Sequence, residues 1–74
     1  MSADKLVYMA NQIGKFFAHQ GEEKAVRAIA DHILKYWEPR MRVAIFAHLD
    51  AGGGGLDRFV LSALRRLRQP APLN

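Results

Sequence analysis

Apolar residues recur at helical spacing in four stretches of the chain, and none of the stretches alternates as a half-buried strand would. In the first, Leu6, Met9, Ala10, Ile13, Phe16 and Phe17 share one side. This predicts a helix over 3–19, with Ser2 as its N-cap and Gly21 as its stop. Val7, Asn11, Gly14 and Ala18 form a second, small-residue stripe beside the first, leaving Tyr8, Gln12, Lys15 and His19 as the clearly polar face. The combined arc is wider than one core-facing side requires. Gly14 costs about 1 kcal/mol relative to alanine inside a helix, which makes sense where another helix backbone comes close, from this chain or a foreign one.

The second stretch opens on Glu22 and Glu23, which suit a helix N-terminus, and repeats apolar residues at Ala25, Val26, Ile29, Ala30, Ile33, Leu34 and Trp37. A helix over 22–37 follows. Pro39 disfavours helical geometry at Glu38 but is a favourable first residue for a new helix. Met41, Ala44, Ile45 and Leu49, with Val43 and Phe46 beside them, carry that helix over 39–50, so the two meet at an abrupt corner. Gly52 to Gly55 then read as a flexible hinge. Asp57 is placed as an N-cap, with Leu56 and Leu61 as a hydrophobic staple. Val60, Ala63, Leu64 and Leu67 make the inner stripe of a last helix over 57–68. The expectation is an all-α fold, a small irregular bundle of three to four short helices forming one domain over 1–68, with a disordered, proline-containing tail over 69–74.

Composition adds limits. Leu, Ile, Val and Phe supply 20 of the 74 residues, above the range of disordered chains. The chain has no cysteine to staple it, so the stability of a core this small must come from helix packing, a partner, or both. His19, His32 and His48 lie far apart, without the close ligand pairs of a metal site. Ser2 and Ser62 sit in a cap and in a helix, not on a nucleophile elbow. The glycine run lacks the lysine of a phosphate loop and is followed by Asp57. No uncharged apolar run approaches the ~18 residues of a membrane span, and Asp4 and Lys5 interrupt the place a signal peptide would occupy. A soluble, cytoplasmic protein without catalytic, cofactor-binding or metal-binding residues of its own is expected. Residues 1–57 hold equal numbers of basic and acidic side chains, so the net charge of +4 resides in Arg58, Arg65, Arg66 and Arg68. Arginines near a helix C-terminus suit its dipole, a reading preferred to a nucleic-acid surface, although a small basic helical nucleic-acid-binding module is the alternative from another class.

The corner Tyr36-Trp37-Glu38-Pro39-Arg40-Met41-Arg42 stands apart. Its arginines lie in the first turn of a helix, where each faces the positive end of the dipole at a cost of about 0.3–1 kcal/mol when exposed. Glu38 or Asp31 inside the chain, or carboxylates of a partner, are the candidates to offset that cost. Tryptophan and arginine are also enriched among the residues that anchor interfaces.

With Met9-Ala10-Asn11-Gln12-Ile13, His32, the glycines with Leu56, and Ala63-Leu64, this corner resembles the delta subunit of cytoplasmic, NAD-dependent, molybdenum-containing formate dehydrogenases. The resemblance spans about Lys5 to Leu67; Tyr36, Glu38 and Arg58 depart from the usual phenylalanine, aspartate and proline, and 69–74 match nothing. It implies a noncatalytic accessory subunit that binds the catalytic alpha subunit and helps the holoenzyme assemble or keep its molybdenum cofactor. The bis-molybdopterin guanine dinucleotide molybdenum centre, iron-sulfur clusters and FMN would belong to other subunits. Asn11, Gly14, His32, Trp37, Pro39, Arg40, Met41 and Arg42 are the expected partner-binding residues, with no nucleic acid and no membrane involved. A chaperone acting only during cofactor maturation is a third possibility.

Overall fold

Local capping chemistry sets where each helix begins and ends in the computed structural model, which describes residues 2–69. The Ser2 hydroxyl accepts a hydrogen bond from the Lys5 N–H at 3.3 Å and opens α1, Ala3–Phe17. A 3-10 turn, Ala18–Gln20, tightens the end of α1, and Gly21 leaves it at a φ of 92°. α2, Glu22–Tyr36, starts on two glutamates and stops where Trp37 and Glu38 turn extended ahead of Pro39. α3, Pro39–Asp50, leads through the glycine loop to α4, Arg58–Arg68. No strand occurs among the described residues. The tail expected over 69–74 lies, beyond Gln69, outside them.

The core is one cluster to which every helix contributes. Leu6 and Ala10 of α1, Ile29 and Ile33 of α2, Ile45 of α3 and Val60, Ala63 and Leu64 of α4 are essentially sealed from solvent. Each large aliphatic among them stabilises the fold by roughly 1.5–3 kcal/mol relative to exposure. α2 packs chiefly on α4 and α1, while α1 also meets α3 and α4.

Three parts of the helical pattern resolve differently from a plain apolar count. Phe16 is 72% exposed although it shares the first stripe, because Phe17 takes the inward slot and its neighbour points about 100° away. For the same reason Ile33 is buried and Leu34 is 56% exposed. The second stripe of α1 is covered from inside the chain at Gly14 and partly at Val7 and Asn11, while Ala18 is exposed. A Cβ on Gly14 would lie 2.7 Å from Val60 Cγ2, so α1 and α4 approach as closely as they do because glycine stands there.

The glycine run, read above as a flexible hinge, is a loop tied down at three points. Asn11 donates through Nδ2 to the Gly55 carbonyl at 2.9 Å, and its Oδ1 accepts the Asp57 N–H at 2.9 Å. His48 Nε2 shares a 2.7 Å hydrogen bond with the Gly54 carbonyl. Gly53 adopts a φ of 67°, and a side chain there would meet Leu61 Cδ2 at 2.7 Å, with Leu49 and Leu56 close behind. Asp57 is the N-cap residue of α4 by position, but its carboxylate makes no capping bond. Asn11 performs part of that task from 46 residues away.

Candidate partner interface

The corner between α2 and α3 is built around Trp37 and Arg42. Trp37 is only 5% exposed and packs into the core cluster, so the corner pivots on a fixed aromatic side chain. α2 ends with carbonyls that no further helical N–H can reach, a deficit common to every helix C-terminus. The Arg42 guanidinium supplies the donors, bonding through Nη1 to the Trp37 carbonyl and, at 3.4 Å, to that of Leu34. This resolves the misplaced charge. Arg42 is at the wrong end of α3 but reaches the negative end of α2, where a cation is favoured. Neither carboxylate considered from sequence takes part: Asp31 pairs with Lys35 at 3.1 Å, and Glu38 contributes its backbone carbonyl to the Met41 and Arg42 N–H groups.

Arg40 is placed otherwise. It is exposed, lies in none of the ion pairs among the described residues, and lines a groove of about 380 Å³ with Leu6, Glu38, Met41 and Ala44. Pro39 stands exposed at the start of α3 and Met41 is half-buried beside it. On the α1–α2 side, His32 is half-buried with its ring 4.8 Å from Tyr36 and 6.2 Å from Phe17, which in turn meets Phe16 at 5.0 Å. Gln12, Ile13, Phe16, Phe17 and His32 line a shallow apolar groove there.

The eight residues singled out from sequence therefore fall into three groups. Pro39, Arg40 and Met41 share the outer surface of the corner with Trp37 and Arg42 beneath them. His32 belongs to the aromatic face. Asn11 and Gly14 meet the glycine loop and α4 instead. Phe16 and Tyr36, both over 70% exposed, are surface residues that a count of apolar positions misses. The adjacency of Phe16 and Phe17 was the available signal, since two neighbours on a helix cannot both face one core.

Among the described residues no three His, Cys, Asp or Glu side chains come together in a way that would hold a metal ion. No helix among them is long and apolar enough to cross a membrane. What the geometry offers is surface. The fold and the site define a small, all-helical module whose distinctive residues shape a face. The family model for the NADH-dependent formate dehydrogenase delta subunit FdsD matches residues 5–64, and the chain belongs to that family. Neither the curated proteins nor the solved structures yield a match to it.

Proposed function

We propose that this delta subunit is a noncatalytic accessory chain of an NAD-dependent formate dehydrogenase, binding the catalytic alpha subunit in the cytoplasm and supporting holoenzyme assembly or retention of the molybdenum cofactor. The observation that carries the reading is the family match over 5–64, which takes in the entire corner, Asn11, the glycine loop and the first two turns of α4. Formate oxidation to carbon dioxide, with electrons passed to NAD, falls to the subunits that hold the molybdenum centre, iron-sulfur clusters and FMN. The absence of cysteine from this chain suits that division, because a cluster needs thiolates.

In this reading Pro39, Arg40, Met41 and His32 touch the partner, while Trp37, Arg42, Asn11 and Gly14 hold the surface in shape. Arg40 has the chemistry for the central contact: a planar donor fork in none of the ion pairs among the described residues, beside a groove that Leu6, Met41 and Ala44 line together with Glu38. The test is to produce the complex with and without this chain and measure molybdenum, iron, flavin and formate-dependent NAD reduction. Loss of molybdenum or of the alpha subunit, with iron and flavin kept on the remaining subunits, is expected. Unchanged metal content and activity would overturn the proposal.

A further inference from the structure

The outer side of the α3–α4 pair carries an apolar floor with a basic rim. Val43 is 67% exposed, and with Phe46, Ala47 and Leu67 it lines a shallow groove that runs to Asp50 and Arg68. Arg68 and Asp50 bridge the two helices at 3.0 Å, both about half exposed. Beyond that bridge the depression continues between Leu49, Arg65 and Gln69. Asp50 is the one carboxylate among these lining residues, and Arg68 already neutralises it. Arg65, and Arg66 next to it, lie in none of the ion pairs among the described residues. The rest of the chain sums to zero charge, so the field on this side is set by the arginines of α4.

We infer that this groove docks an acidic amphipathic helix of another subunit of the complex. A groove between two packed helices is the shape a third helix fills, with apolar anchors one turn apart on the floor and its flank over the rim. The rim selects the sign of that flank. Carboxylates pair with Arg65, which has none, and compete for Arg68, whose exposed bond to Asp50 holds it only weakly. Phosphates would find no use for the Val43, Phe46 and Leu67 floor, which favours a protein over a nucleic acid. A bilayer is disfavoured as well, because the apolar stripe of α4, Val60, Ala63 and Leu64, is sealed in the core and unavailable to lipid.

The inference rests on the proposed function for the identity of the complex, and the test separates the two. A benzophenone side chain is placed at position 43 or at position 40, the intact complex is purified, irradiated and digested, and adducts are identified by mass spectrometry. Position 43 is expected to link to a segment of another subunit in which Asp and Glu outnumber Lys and Arg. Arg65→Glu should then lower that adduct yield at least tenfold in complexes that remain assembled, while Arg65→Lys keeps most of it. No adduct at 43, or one to a neutral or basic segment, to nucleic acid or to a second copy of this chain, would overturn the inference, whether or not position 40 still links to the alpha subunit. Failure of the unmodified chain to copurify with any other subunit would overturn the proposed function, and this inference with it.

Discussion

Replacing Arg42 with alanine, beside the same change at Arg40, separates an arginine that builds the corner from one proposed to meet a partner. Two carbonyls at the end of α2 lose their donor in Arg42→Ala. Hydrogen bonds to a charged group contribute about 1.5–3 kcal/mol each when well formed. The bond to Leu34 is long at 3.4 Å and the site is partly open to water, so the pair together is worth about 1–3 kcal/mol. The dipole contributions nearly cancel, since a gain of about 0.3–1 kcal/mol at the end of α2 faces a similar cost at the start of α3. Stability of the isolated chain should therefore fall by about 1–3 kcal/mol, roughly 4–8 °C in Tm per kcal/mol for a domain of this size. Arg42→Lys keeps the charge, loses the fork and should recover about half of the loss. Arg40→Ala, at an exposed position without an ion pair, should stay within about 0.5 kcal/mol of wild type. Urea unfolding followed by far-ultraviolet circular dichroism measures all three. If Arg42→Ala unfolded at the same urea concentration as wild type while its retention in the complex collapsed, the bonds to α2 would be incidental and Arg42 would be a contact residue.

Other outcomes follow from the same geometry. Asn11→Ala removes both ties to the glycine loop and should cost about 1–3 kcal/mol in urea unfolding, without changing the helix content of the folded state. Gly14→Ala gains about 1 kcal/mol of helix propensity but drives a methyl against the stiff, buried Val60, at about 1–3 kcal/mol. Wild type should therefore be more stable than Gly14→Ala, whereas Val60→Ala should be less stable than the Gly14→Ala, Val60→Ala double variant. The absence of that sign reversal in a double-mutant cycle would remove the close approach as the reason for the glycine. The isolated chain, a small core without staples, should unfold near or below about 5 kcal/mol; a cooperative transition extrapolating well above 10 kcal/mol would contradict this. Arg40→Ala should weaken retention in the complex by about 2–5 kcal/mol where its partner is a desolvated carboxylate, read as dissociation during gel filtration at raised salt.

The helices were legible because their boundary signals are local. Ser2, Gly21 and Pro39 each act within a few residues of where they stand, and the structure starts or stops helices at each. The corner was legible as a concentration of unusual residues, but the division of labour inside it was not. Whether Arg42 or Arg40 turns inward depends on where the last carbonyls of α2 lie once the chain has bent at Pro39, which no spacing rule encodes. Asn11 looked like part of an unpartnered stripe because its acceptor and donor, Gly55 and Asp57, are 44 and 46 residues away. Gly14 posed a question whose answer, Val60, is equally remote. Phe16 and Leu34 misled a simple apolar count because each neighbours a residue that already fills the core position. Long-range pairing thus decided which of these residues stay on the surface.

Native mass spectrometry of the purified, active formate dehydrogenase, with gentle dissociation in the gas phase, tests accessory binding most directly. If this chain holds to the catalytic subunit through the corner, dissociation should release a binary subcomplex of this chain with the molybdenum-bearing alpha subunit, and Arg40→Ala should deplete it. Fully active, molybdenum-replete enzyme that contains no copy of this chain would contradict a resident accessory subunit.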